Sequence, residues 1–332
     1  MRILIDAAGN WTPATLRGGS EECVCGLSAA LAARGHEVAV CNGCGDAQGD
    51  YDGVQFLDGE PQENDDPALV IAWRDWPKVP LNRRRFPGAT VVLWCHDIPV
   101  PPHWPDSEAM REVVNRDADA VVLLNEHHRG RYLAAGLRPE KAAVIRIGVD
   151  QAPYRALACE GTPRREMYRC GFFSHPGRGL HRLRDEFWPK IKAAVPDATL
   201  AAFWWEPEHF LPPNEALGIL PMRALRQEEV AREMSRCALL TYASVFSPEC
   251  SPAVCIHALL AGAVPVVVPE GGMRDVLGGH GHCATMETFA GAVVNALRDQ
   301  GWQEKQRVAG RAWARVVYEW HRAAAEFEAL AA

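Results

Sequence analysis

The 332-residue sequence contains no apolar run approaching the length that spans a bilayer, and its opening MRILIDA meets an aspartate too early for a signal peptide. A surplus of positive charge is also missing. The 35 Lys and Arg stand against 42 Asp and Glu, a formal net charge of -7, so the summed field repels phosphate backbones rather than gathering them. Bulk nucleic-acid binding is disfavoured, although a local basic cleft is not. There is no internal repeat of short period, no low-complexity tract, no GxGxxG of the nicotinamide-dehydrogenase kind and no acid pair in the setting of a glycoside hydrolase. The expectation is a soluble, cytoplasmic protein.

Cysteine is not scarce, but a framework for it is. Eleven cysteines form an odd set scattered through apolar segments, which suits reduced thiols in core or loop positions better than disulfides. Cys41 and Cys44 make a CxxC and Cys23 and Cys25 a CxC, yet the second pair falls in a predicted helix, where side chains two apart diverge. They are read as core or loop residues, not as a zinc or redox site. His127 and His128 are adjacent, lack metal-ligand spacing and are expected on a helix surface.

What the chain does have is an alternation of short apolar strands and longer helical patterns. RILIDA, HEVAVC, LVIAW, TVVLWCH, AVVLL and AVIRIGV run through residues 2 to 149, most of them too continuously apolar to leave one face wet. That is the mark of a parallel sheet covered by helices. QAPYRALACEGTPRRE interrupts the pattern with proline, glycine and charge, after which CGFFS, TLAAFW, ALLTYA and VPVVVP resume it. The length suits two domains, each with its own core. We therefore expect an α/β protein with domains at 1–150 and 167–310, a linker at 151–166 and a closing amphipathic helix in 311–332.

Two turns stand out chemically. In GGSEECVCGLSAALAARGHEVAV, Ser20 is the candidate N-cap, Val24, Leu27 and Leu31 form the apolar stripe, and Gly35 is the stop. The free N–H groups and positive dipole end at Gly18, Gly19 and Ser20 can hold a diphosphate or another anion; a tight turn without ligand accounts for them as well. In ECSPAVCIHALLAGAVPVVVP, Ser251 as N-cap and Pro252 at the first helical position leave the N–H groups of Ala253 and Val254 pointing out, and Gly262 ends the helix. Glu249 stands just ahead of these donors. It can accept from hydroxyls of a phosphate-linked sugar, or it can simply answer the helix dipole.

This second segment resembles the nucleotide-sugar site of glycosyltransferase family 4, whose members have the glycosyltransferase B fold of two facing Rossmann-like domains. Glu249, Gly262 and Pro265 to Val267 match the family pattern, while His257 stands where a second acid usually addresses the nucleotide ribose. GGSEE resembles the family's first glycine loop. LNEHHRGRYLAAGLRPEKAAVIRIGVD resembles the close of its first domain, with Ile147 at the place of the usual asparagine. GFFSHPGRGLHRLRDEFWPKIKAAVPDATLAAF resembles the strand, basic loop and helix that open the second domain, with Arg178 matching one diphosphate-binding cation and Ser174 near the place of the other.

The resemblance implies retaining transfer of a sugar from a nucleoside-diphosphate sugar to a hydroxyl acceptor, which can be a glycan, a lipid or a small molecule, with no metal and no cofactor. It implies catalytic roles for His96, in WCHDIP, and for Glu249 and Arg178. Donor contacts would come from Gly18, Gly19, Ser174, Ser251, Ala253, Val254 and His257. Asp97, Trp73 and Arg74 fall on the acceptor side; with Trp76 the two residues of IAWRDWP form either an aromatic wall or plain packing. Arg83, Arg84 and Arg85 offer weak contact to an anionic membrane, or a solvated face. The last helix is expected to cross back to the first domain. The alternatives are a catalytically impaired sugar-nucleotide-binding protein and a sugar-nucleotide epimerase of the same fold.

Overall fold

Strands with no polar face are stable only when both faces are covered, and the apolar runs of the sequence meet that condition in two separate sheets. The computed structural model describes residues 1–15, 18–62, 65–160, 164–204, 214–223, 227–244 and 249–332. It divides into one unit of Met1–Val149 with Tyr318–Ala332 and a second of Asp150–Val317.

The first unit holds an eight-stranded sheet in the spatial order β3 (Gly49–Tyr51), β4 (Val54–Asp58), β2 (Glu37–Asn42), β1 (Arg2–Asp6), β5 (Leu69–Trp73), β6 (Thr90–Trp94), β7 (Ala120–Leu123) and β8 (Ala142–Val144). All neighbours run parallel except β3 against β4. The apolar pattern does not announce that hairpin, although Asp52 and Gly53 mark it: both take positive φ, 54° and 79°, as a tight two-residue turn demands. Of AVIRIGV only Ala143 and Val144 lie in a strand, β8, and the rest is irregular.

The helix after β1 spans Gly19–Ala33 and buries Val24, Leu27 and Leu31 completely. Its N-cap is Gly18, in extended backbone, so Ser20 lies inside the first turn and does not cap. The closing segment is two helices rather than one. Gln300–Val317 ends before Tyr318, and Glu319 turns to extended backbone and caps Trp320–Ala329 by accepting from the His321 N–H at 3.1 Å. Trp320 then packs where Gly26 and Gly148 have no side chain; an added Cβ at either would lie 2.2 or 2.4 Å from the indole. Phe327 meets Trp94 edge to face at 5.3 Å, so this last helix belongs to the first unit. Burying such aromatic side chains is worth roughly 1.5–3 kcal/mol each.

The second unit holds a six-stranded sheet, all parallel, in the order β11 (Ile219–Arg223), β10 (Thr199–Trp204), β9 (Glu166–Phe172), β12 (Cys237–Tyr242), β13 (Val264–Val267) and β14 (His282–Cys283). Counted along the chain within this unit, the order is 3-2-1-4-5-6, the doubly wound Rossmann arrangement, in which the order of strand addition reverses between β9 and β12. The stretch expected as a linker carries a helix, Ala152–Glu160; positions 161–163 of it lie outside the described residues. Among the described residues, no helix is long and apolar enough to cross a membrane.

Candidate functional site

In an open parallel sheet, the connections that leave the carboxyl ends of the two strands at the reversal point pass to opposite faces and leave a crevice. In the second unit these are the ends of β9 and β12. Beyond β9 come Ser174, the turn Pro176–Arg178 and Gly179; beyond β12 comes Glu249. Gly179 makes the geometry possible. Its φ is 104°, and an added Cβ would sit 2.3 Å from the Ala243 carbonyl oxygen, so only glycine lets this turn lie against the end of β12.

The result is a four-residue constellation. Arg178 pairs with Glu249 through Nη1 and Oε2, and the Tyr242 hydroxyl donates to the other carboxylate oxygen of Glu249. Ser174 Oγ lies 3.3 Å from the Tyr242 hydroxyl. Burial, reinforced by the Glu249 charge, pushes the Tyr242 phenol far above its usual range, so it stays protonated and acts as the donor. Burial opposes the Arg178 charge, but Glu249 and Tyr242 outweigh it and the net shift is upward. The Glu249 side chain is 14% exposed and that of Arg178 44%, leaving a guanidinium with free edges beside a carboxylate held in one orientation. Tyr242 is the residue that sequence reasoning missed. It is the next-to-last residue of ALLTYA, a run that reads as buried strand, and the available signal was a hydroxyl at the last strand position before a carboxyl-edge loop.

The helix after Glu249 is Ala253–Ala261. Its N-cap is Pro252, with ψ at 97°, so Ser251 neither caps nor precedes a proline at the first helical position. Proline supplies no side-chain acceptor, and among the described residues the N–H groups of Ala253 and Val254 have none. The positive end of an apolar helix is therefore presented beside Arg178, a combination suited to an anion. His257 lies one turn further in. Its Nδ1 meets the Tyr154 hydroxyl at 2.6 Å, and burial pulls the imidazole down to about 4, so it is neutral at physiological pH.

The first unit's carboxyl edge is organised differently. Arg74 takes a positive φ of 62° and binds Asp97 through both Nε and Nη2, at 2.6 and 2.9 Å, with its guanidinium carbon 5.3 Å from the Trp73 ring centre. The Asp97 carbonyl accepts from His128 Nε2 at 2.9 Å and from the Tyr132 hydroxyl at 3.1 Å. His128 is fully buried rather than on a helix surface, because its Nδ1 accepts from the Leu124 N–H and closes the strand end. Trp73 is only 3% exposed and touches Trp11 and His96 by its edges; Trp76 packs against the core. These residues form no exposed aromatic wall within the unit. His96 packs on Trp94 at 4.5 Å, and its buried Nε2 has no partner among the described residues. Burial, then Arg74 and His128, hold its imidazole neutral.

Gly18 and Gly19 do lead into a helix N-terminus, but Glu21 stands over it: an added Cβ on Gly18 would lie 2.4 Å from a Glu21 carboxylate oxygen. The first unit's own acid thus lies against the cap residue, although no side chain caps the helix. Beside it is a cavity of about 280 Å³ lined by Asn10, Trp11, Thr12, Thr15, Glu21, Cys44 and Ala47, none of which the sequence singled out for this purpose apart from its glycine-loop neighbourhood. Arg83 binds Asp119 and two carbonyls, and Arg85 binds Glu60, which accounts for two of the three charges in the basic run. Among the described residues, no three His, Cys, Asp or Glu side chains gather as a metal site, and the described cysteines are free thiols.

No family model and no curated protein matches the sequence. Solved structures do match its fold. Anabaena Alr3699/HepE in complex with UDP superposes with a TM-score of 0.72 at 18% identity, over 99% of both chains. A glycosyltransferase from Rickettsia africae gives 0.74 at 11% identity, over 99% of this chain and 97% of that one. The catalytic domain of starch synthase IV from Arabidopsis thaliana, bound to ADP and acarbose, gives 0.69 at 13%, over 99% and 98%. The chain has the glycosyltransferase B fold, with two Rossmann-like parallel-sheet domains.

Proposed function

We propose that the protein is a retaining glycosyltransferase of the family 4 kind, transferring a sugar from a nucleoside-diphosphate sugar to a hydroxyl acceptor without metal or cofactor. The observation that carries this reading is the Arg178–Glu249 pair beside the open amides of Ala253 and Val254, at the reversal point of a Rossmann sheet. Arg178 and the two N–H groups would bind the diphosphate and stabilise the negative charge that grows on it as the bond to the sugar breaks. Glu249, oriented by Tyr242, would bind sugar hydroxyls. Ser174 and Ser251 would add neutral donors nearby.

In the reaction, the bond from the anomeric carbon to the diphosphate oxygen breaks and a bond to the acceptor oxygen forms on the same face. The acceptor's proton passes to the departing diphosphate, which removes the need for a separate carboxylate base. His96, neutral and with Nε2 unpartnered among the described residues, suits a hydrogen bond to a substrate hydroxyl. The cavity at Glu21 suits a neutral, hydroxyl-bearing acceptor better than an anionic one. Structural neighbours bound to UDP and to ADP support a nucleoside diphosphate as the carrier.

Calorimetry with UDP, GDP, ADP and TDP tests the donor site, and an acceptor panel followed by NMR of the product's anomeric proton tests transfer with retention. If none of the four binds, the reading fails. His257, with Nδ1 taken by Tyr154 at the place of the second acid, favours one competing reading, a sugar-nucleotide-binding protein without turnover. Tight binding with an intact donor across the whole panel would establish that instead.

A further inference from the structure

The amino-terminal edge of the second unit's sheet, opposite the edge just described, carries a charge cluster that the proposed reaction does not use. Arg165, just ahead of β9, donates through Nη2 to the Ala238 carbonyl at 3.0 Å and to Gln303 Oε1 at 2.8 Å. Arg307, Arg311 and Arg315 recur every fourth residue along the helix Gln300–Val317 and so share one face. Arg311 donates to the Ala261 carbonyl at the end of Ala253–Ala261, and it closes with Arg307 over Gly262. An added Cβ on Gly262 would lie 2.4 Å from Arg311 Nη2 and 3.0 Å from Arg307 Cγ.

The guanidinium groups of Arg165, Arg307 and Arg311 therefore gather around Gly262 and Glu304, with the exposed Arg315 one turn further along the same helix face, and among the described residues Glu304 is the carboxylate that answers them. It binds Arg307 Nε at 2.7 Å and stands 3.9 Å from Arg165. The Nε atoms of Arg165 and Arg311 are buried without an acceptor among the described residues. Burial, then the charges of Arg307 and Arg315, pull Arg311 down to about 10, and burial with Arg307 lowers Arg165. Helix capping explains one bond of Arg311, not the gathering of three like charges with a fourth one turn away. Such a cluster is destabilised by its own repulsion until a multivalent anion enters, and planar guanidinium groups match phosphate oxygens in pairs.

We propose that Arg165, Arg307 and Arg311, flanked by Arg315 one turn along the helix, form a second anion site, for a phosphate group, distinct from the nucleotide site. Val308 and Val316, 56% and 71% exposed, each follow one of these arginines in the helix, so the phosphate can be free or can belong to a lipid headgroup beside apolar surface. The full chain bearing Arg178→Gln, which weakens phosphate capture at the other edge, serves as the background. Thermal unfolding is followed as chloride is replaced by inorganic phosphate at constant ionic strength. The Tm should rise, and most of the rise should vanish on adding either Arg307→Gln or Arg315→Gln. Flotation with phosphatidylcholine vesicles, with and without phosphatidylglycerol, identifies the source: capture by the anionic vesicles alone, lost in Arg315→Gln, assigns the headgroup, and a Tm rise without capture assigns free phosphate. A Tm rise that survives both added substitutions, or the lack of both a rise and capture, overturns the proposal.

Discussion

Each unit places an arginine and an acid beyond the carboxyl ends of neighbouring strands, yet the two pairs sit in opposite surroundings. Arg74 and Asp97 in the first unit are locked: two hydrogen bonds join them, Trp73 lies under the guanidinium, and His128 and Tyr132 hold the Asp97 carbonyl. Arg178 and Glu249 in the second share an ion pair, a glycine-enabled turn and helix amides left open. Neither helix N-terminus has a side-chain cap among the described residues, but an acid, Glu21, lies against the first unit's cap residue Gly18. A parallel sheet supplies a carboxyl edge in both cases, but Arg178 and Glu249 straddle the point where the strand order reverses, whereas Arg74 and Asp97 follow β5 and β6, both on one side of the first sheet's reversal between β1 and β5.

Glycine substitution should separate the two edges most sharply. Gly179→Ala forces a positive φ and a clash with backbone, so it should cost roughly 2–4 kcal/mol and misplace Arg178. Gly18→Ala meets only the flexible end of Glu21 and should cost no more than about 1 kcal/mol. Urea denaturation reads both, and equal losses would erase the contrast. Next in size, Arg178→Ala should weaken nucleoside-diphosphate binding about 10- to 100-fold, the range for a lost charge-assisted hydrogen bond of roughly 1.5–3 kcal/mol. Arg74→Ala should instead lower stability and leave that affinity near the wild-type value, as calorimetry beside denaturation would reveal.

Acid should loosen the molecule through its neutral histidines. His128 and His257 are held at about 4 by burial, and His96 is also held well below its ordinary value. Their folded pKa values lie below the unfolded one near 6.5, so the unfolded chain takes up protons first. Stability is therefore full above about pH 6.5 and falls as pH drops toward 4, each histidine losing about 1.4 kcal/mol for every tenfold by which folding weakens its proton affinity. His257→Gln should flatten part of that slope in urea titrations at several pH values; an unchanged slope would remove His257 from the set. The smallest expected effect belongs to Tyr242→Phe. It frees Glu249 to turn, and should weaken a nucleotide sugar several-fold while sparing the bare nucleoside diphosphate.

The sequence made the parallel sheets legible because buried strands such as ALLTYA and TVVLWCH carry no polar face. It hid short edge strands: HC at β14 is two residues long, and β11 contains Pro221, which argues against a strand by itself. At the site, Glu249, Arg178 and the amides after Pro252 were visible from capping chemistry and from a family resemblance. Tyr242 was not, since periodicity cannot tell a core tyrosine from one whose hydroxyl emerges at the strand end. The same limit applies to His128, expected on a helix surface and found in the core, and to Trp73, for which the sequence left an aromatic wall and plain packing open and the structure gives packing. Cap positions shifted by a residue or two, at Gly18 and Pro252, because backbone ψ rather than residue type sets where a helix starts.

The most direct test is a two-dimensional amide NMR titration of the intact chain with UDP. With the donor site at the second unit's carboxyl edge, the largest shifts fall on the Ala253 and Val254 N–H groups and on the Arg178 side-chain Nε–H, with Gly18 and Gly19 little changed. Shifts concentrated at Gly18 and Gly19 with Ala253 and Val254 silent would contradict that placement.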